Sequence, residues 1–169
     1  MSVCMLTAVE IRSAKGWYFH KPDPDLFDGS YSVMGFLADV RNYSGSESLA
    51  PRRGAPVDMD VDSMLSIILR TTWSSDFASA ETAVLGYSAK SADIRDRIGE
   101  FFADLYPHPT WVSLAELLQF DYEKSFTDQR DKNRLTTYRE FLGDIFFVAL
   151  EELRSLGKPG DVRLVLCFG

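Results

Sequence analysis

Cysteine and histidine are scarce, with two of each in 169 residues. Cys4 and Cys167 stand in apolar runs near the two ends, far from His20 and His108. No pair has ligand spacing, so no metal site is expected. The two thiols are expected to be buried and reduced, as free cysteines usually are. A disulfide would need adjacent strands and an oxidising compartment. Long hydrophobic runs are missing as well. No apolar stretch approaches the roughly 18 residues of a membrane-spanning helix. The opening MSVCMLTAVEIR lacks a basic n-region and meets Glu10 and Arg12 early, unlike a signal peptide. The expectation is a cytoplasmic protein with no membrane partner.

Positive charge is in deficit. Lys and Arg total 18 against 25 Asp and Glu, giving a net charge of −7. Residues 1–56 are balanced at six basic and six acidic side chains, so residues 57–169 carry the whole excess. Phosphate neutralisation drives nucleic-acid affinity, so duplex DNA or RNA is not expected as a partner. A small anion needs only a few local arginines, and these would lie in the neutral N-terminal third. Catalytic motifs are absent too: there is no G-x-S-x-G, no P-loop and no HExxH. The acidic run 58–62, DMDVD, fails the calcium-loop pattern, with Ser63 in place of the turn glycine and Leu69 in place of the final glutamate. No cofactor is implied.

What is present is an ordinary globular composition, 46% hydrophobic and 25% charged, with 12 Phe, 7 Tyr and 3 Trp to fill a core. The length suits one domain over 1–169. Residues 3–12 read as a strand with apolar side chains on both faces, turned by 13–16 into a second, aromatic strand at 17–20. Two prolines in 21–25 break it. A short helix is expected over 30–40, capped by Asp28 or Ser30. A polar loop follows at 41–56, and a helix capped by Asp62 or Ser63 runs to 71. Segment 72–90 reads as an irregular connection with one helical turn. Ile94, Ile98, Phe101, Phe102 and Leu105 make a helical stripe in 91–105. Ser113 and Glu116 form a capping box for a helix through 120, and 121–133 reads as exposed. A long helix over 134–156 carries Leu135, Tyr138, Leu142, Ile145, Phe146, Ala149, Leu153 and Leu156 on one stripe, and Gly157 and Pro159 stop it. A last strand covers 162–168. The fold expected is α+β: a small antiparallel sheet formed by the N-terminal hairpin and the C-terminal strand, covered by helices.

Several strings point to a family. SYSVMGFLADVRN at 30–42, PRRGAP at 51–56, HPTWVSLAELLQFD at 108–121 and DVRLVLCF at 161–168 occur in that order after a short hairpin. The chain resembles a family of small phage and prophage proteins, whose members read like NYDLFAILADVRN, PRGLP, HSHSWLTLAELL and DVRIVFWFD and usually begin MGCDIH. The opening MSVCML departs from that start and lacks its Asp and His. The resemblance implies phage origin and a compact accessory protein, and it implies no reaction.

Three candidate sites emerge. Arg41, Asn42, Arg52 and Arg53 offer planar guanidinium groups for phosphate or carboxylate. A cation at a helix C-terminus and a solvated loop are the alternative there. His108 and Trp111 flank a capped helix start, where an anion or a stacked base would fit. The alternative is a staple residue and a loop filler. Trp17, Tyr18, Phe19, His20, Tyr31 and Tyr43 suit base stacking or plain hairpin packing. The function expected is capture of a small anionic, nucleotide-like ligand, as phage proteins that sequester host immune signals do. Arg41, Asn42, Tyr43, Arg52, Arg53, His108 and Trp111 are its expected contacts. Two chains could build the pocket together as a homo-oligomer. The other readings are an acidic protein-binding inhibitor of a host defence protein, and a nucleotide hydrolase.

Overall fold

The computed structural model describes residues 4–20, 27, 29–71, 82, 84–87, 90–106 and 108–169. The strands are β1 Met5–Ser13, β2 Gly16–His20, β3 Thr110–Ser113, β4 Ser125–Asp128, β5 Arg134–Thr137 and β6 Val162–Phe168. The main sheet is antiparallel in the order β2-β1-β6-β3, and β4 and β5 form a separate hairpin. The helices are α1 Tyr31–Ala38, α2 Val61–Thr71, α3 Ile94–Leu105, α4 Leu114–Gln119 and α5 Tyr138–Ser155. The fold is α+β, and the two end strands pair from Met5 opposite Phe168 to Ile11 opposite Val162.

The apolar character of β1 and β6 on both sides has a direct cause: helices cover both faces of the sheet. Val9, Leu164, Leu166 and Val112 pack with α1, α4 and α5 through Phe36, Leu37, Leu114, Phe146 and Leu153. Ala8, Val165 and Cys167 pack with α2 and α3 through Ile67, Ile68, Ile98 and Phe102. Burial pushes the Cys167 thiol up to about 12, so it stays protonated and inert. Cys4, expected to be buried, is exposed; both cysteines are free.

One pair of charges lies inside this frame. Glu10 is fully buried and Arg163 is 4% exposed, with Arg163 Nε donating to Glu10 Oε2 at 2.7 Å. The remaining polar atoms also find partners. Glu10 Oε1 accepts the Asp60 N–H at 2.7 Å, and Arg163 Nη1 donates to Asp58 Oδ1 at 2.8 Å. Burial works to raise the Asp58 carboxyl, but the Arg163 contacts outweigh it and hold the pKa low. The Arg163 guanidinium lies 4.0 Å from the Trp17 ring centroid and 5.9 Å from that of Trp111. Arg12 covers Trp17 at 5.4 Å and Arg53 covers Trp111 at 5.3 Å. Arginine and tryptophan therefore alternate across the sheet.

Several expectations change. The long helix starts at Tyr138, because 134–137 pairs with 125–128 as a hairpin. Leu135 is consequently exposed, although its spacing from Tyr138 and Leu142 mimics a helical stripe. Gly143 takes φ 75° and ψ 171°, a region open essentially to glycine, and interrupts α5 there. The interruption leaves Ile145 exposed and Phe146 buried. Phe126 of the hairpin stacks on Tyr138, so 121–133 is not wholly exposed. Residues 110–113 form a strand where the sequence pattern places none. Helix α2 begins at Val61, earlier than an Asp62 or Ser63 cap would place it. Helix α3 is capped by Asp93, and Ile94 and Leu105 are exposed at its ends. Ser30 caps α1, accepting the Val33 N–H. The proline-containing stretch 21–25, the Asp28 cap and most of 72–90 lie outside the described residues; Thr82 and residues 84–86 are helical.

Phe146 is 1% exposed and Ile145 is 63% exposed. Phe146→Ala is expected to cost about 3–5 kcal/mol in chemical denaturation. Ile145→Ala should stay within about 0.5 kcal/mol of the parent. Equal losses at the two positions would contradict this placement of α5.

Candidate functional site

The loop after α1 is built by local hydrogen bonding. Helix α1 ends with Asp39 at φ 58°, its N–H on Gly35 O at 3.0 Å, and the Val40 N–H on Met34 O at 3.3 Å. This left-handed cap reverses the chain. Gly35 makes room for the return, since a Cβ there would lie 3.0 Å from Asn42 Oδ1. Asn42 then fixes the loop. Its Nδ2 donates to Asp39 Oδ1 at 2.9 Å and Ser46 O at 2.7 Å, and its Oδ1 accepts from Ser46 N and Oγ, both at 3.0 Å. The Leu49 and Ala50 N–H groups bond Phe36 O and Leu37 O at 2.7 and 3.0 Å. Segment 41–56 is irregular but pinned.

The loop next meets the edge of the sheet. Thr110 Oγ1 donates to Ala50 O at 2.6 Å and accepts the Arg53 N–H at 3.2 Å. Those bonds fasten the chain along β3, which would otherwise be an open edge. Beside this seam lies a recessed pocket of about 260 Å³, lined by Asp39, Val40, Arg52, His108, Thr110 and Phe168 among others. Val40 and Phe168 supply apolar surface; Arg52 and His108 supply donors. The Arg52 guanidinium has no hydrogen-bond or ion-pair partner among the described residues, and Arg52 itself sits at φ 51°. Asp39 and Arg41 are also left-handed, at φ 58° and 48°. Among the described residues, three of the five non-glycine positions with positive φ therefore belong to the segments around this pocket, and such backbone strain concentrates at ligand clamps and switch regions.

Arg53, next in sequence, has a different task. Its Nη1 and Nη2 donate to Glu116 Oε2 and Oε1 at 3.0 and 2.6 Å, and Nη2 also reaches Leu49 O at 3.3 Å. The guanidinium stacks on Trp111 and is engaged as a clamp between the loop and the start of α4. Ser113 and Glu116 complete the expected capping box. Burial alone would raise the Glu116 carboxyl; the bonds from Arg53 and Ser113 override it and hold the pKa below its ordinary value of 4.5.

The seven candidate residues thus fall into separate groups. Arg52 and His108 share the pocket. Arg53 and Trp111 form the clamp at the β3 edge. Arg41 donates to Tyr31 OH at 3.3 Å, and Tyr43 meets the same ring edge-on at 5.7 Å. Arg130 also covers Tyr31, at 5.1 Å, and was not apparent from the sequence. Asn42 is internal to the loop. Of the aromatic hairpin residues, Trp17 belongs to the arginine–tryptophan alternation, Phe19 packs on the α2–α3 side of the core, and Tyr18 is exposed. Asp58 holds Arg163, and Asp60 accepts the Phe19 N–H at 2.8 Å. Among the described residues no three His, Cys, Asp or Glu side chains converge on a metal position, and no helix is long and apolar enough to cross a membrane.

Neighbouring arginines should behave oppositely. Arg53→Ala is expected to lower stability by about 1 kcal/mol through loss of a bidentate, partly shielded pair. Arg52→Ala should change it by less than about 0.5 kcal/mol. The contribution of Glu116 should be complete above its ordinary value of 4.5 and fade as pH drops through its lower folded pKa. Thermal melts of Glu116→Gln against the parent would show this as a gap at pH 7 that closes in acid. A gap that widens in acid would contradict the sign.

In comparisons with known proteins, no family model, no curated protein and no solved structure matches the chain.

Proposed function

We propose that this protein is a binding protein for a small phosphate-bearing ligand of the nucleotide class, held at the Arg52–His108 pocket. The observation that carries the proposal is the Arg52 guanidinium, without a hydrogen-bond or ion-pair partner among the described residues, beside a recessed pocket whose other walls include apolar Val40 and Phe168. A guanidinium is a fork of donors suited to phosphate oxygens, and His108 adds another donor. Asp39 also lines the pocket, with its carboxylate accepting from Asn42 Nδ2, and Arg52 is the cation there that offsets it and meets an incoming anion.

Binding is preferred to turnover because the pocket wall offers no activated nucleophile. Thr110 is the hydroxyl there, and it is already bonded to Ala50 O and the Arg53 N–H. At about 260 Å³ the pocket takes a phosphate with part of a sugar or base rather than a whole dinucleotide. In a phage accessory protein of the resembled kind, such a pocket would serve to sequester a host nucleotide signal.

Titration calorimetry with nucleoside monophosphates, cyclic nucleotides and inorganic phosphate tests the proposal. The expected result is saturable binding, with ligand recovered intact and affinity at least about tenfold weaker in Arg52→Ala, as one charge-assisted hydrogen bond implies. Binding that is unchanged in Arg52→Ala, or absent for every probe, would overturn it. Conversion of the nucleotide would favour the hydrolase reading instead.

A further inference from the structure

The longest of the described helices has apolar side chains exposed on one face. On α5, Ile145 and Val148 are 63% and 61% exposed, one turn apart. Val148 lines an open groove of about 650 Å³ together with Asp144, Phe147, Glu151, Glu152 and Ser155, and Ile145 stands one turn before it on the helix. The spacing from 144 through 148 and 151 to 155 places these residues along one helical stripe. Exposed apolar side chains that adjoin one another beside a groove with a polar rim mark an interaction surface, whereas single ones do not.

The charges around the stripe say what kind of occupant fits. Asp144, Glu151 and Glu152 rim the groove. Glu152 stands in the last turn of α5, where exposed carbonyls already concentrate negative potential, so a carboxylate there opposes the helix dipole. Arg154 offsets part of this, at 3.5 Å from Glu151 with both side chains exposed, and Arg139 covers the Phe147 ring at 4.5 Å while ion-paired with Glu123, so Asp144 and Glu152 keep the rim acidic. A second copy of the chain would bring the same carboxylates face to face, and an anionic lipid surface would be repelled. We propose that this face docks a basic amphipathic segment of another protein, with apolar side chains over Val148 and Ile145 and lysines or arginines against Asp144, Glu151 and Glu152. The docking surface is independent of the Arg52 pocket, and either can fail without the other.

The probe is a synthetic leucine–lysine amphipathic peptide of about 14 residues, long enough as a helix of roughly 20 Å to span the face. A peptide of equal charge with serine in place of leucine is its control. Titration is followed by the backbone amide resonances of the whole protein. The expected result is that the leucine–lysine peptide shifts resonances within 144–155 and binds more tightly than its control. Ile145→Ser with Val148→Ser should weaken binding at least about tenfold. Asp144→Asn with Glu151→Gln and Glu152→Gln should weaken it and flatten its salt dependence. Leu135→Ser removes an exposed leucine elsewhere and should change nothing. Equal binding of the two peptides, shifts confined to other elements, or an unaltered affinity in the serine variant would overturn the proposal. Sedimentation showing a dimer that Val148→Ser dissolves would overturn it in favour of a second copy.

Discussion

The buried ion pair between Glu10 and Arg163 governs how the rest of the chain is arranged. Removing two charges from water is costly, and the attraction between them offsets that cost only when their remaining hydrogen-bonding capacity is also met. Here it is met by the segment before α2, through the Asp60 N–H and the Asp58 carboxylate and carbonyl. The central strands, the residue 58–60 turn and the start of α2 are therefore held to one another by polar geometry as well as by packing. Hydrophobic contact tolerates small slips, whereas these bonds specify the register of β1 on β6.

The same pair orders the edges of the sheet. Trp17 on β2 and Trp111 on β3 stand on either side of Arg163. Each tryptophan carries a further arginine on its outside, and each of those is tied to a carboxylate: Arg12 to Asp161, and Arg53 to Glu116. The Arg53 arm reaches into the loop that borders the pocket. A consequence follows for function. Arg53 and Arg163 are engaged in holding the frame, while Arg52 has no such partner among the described residues. The pocket and the exposed stripe on α5 lie on opposite terms with the core: the first is formed where a pinned loop meets the sheet edge, the second where a helix presents a face that no other described element covers.

Much of the frame was legible in the sequence. The two end strands were readable because each is apolar on both faces, which only a strand covered on two sides can use. The Ser113–Glu116 cap was readable because its bonds are local. The β4–β5 hairpin was not, since Leu135 lies three residues before Tyr138 and seven before Leu142, the spacing of a helix, and the hairpin's polar residues look like a surface loop. Gly143 gave no warning either, because an isolated glycine is tolerated in most helices and only the fold shows the φ it must adopt. The buried pair had a usable sign: Glu10 interrupts an apolar strand, and Arg163 is the basic residue of the strand expected to pair with it. At the site, arginines and His108 stood out as residue types. The division of labour between Arg52 and Arg53 depends on which side of the β3 edge each reaches, and that is set by contacts some sixty residues away in sequence, as between Arg53 and Glu116.

That division is the central claim, and arginine side-chain NMR tests it most directly. The Nε–H resonances of Arg53 and Arg163 should be sharp, slow to exchange with water and indifferent to added nucleoside monophosphate. The Arg52 resonance should exchange rapidly in the free protein, then shift and gain protection as nucleotide is added. A nucleotide-dependent shift at Arg53 or Arg163, with Arg52 unmoved, would contradict the account.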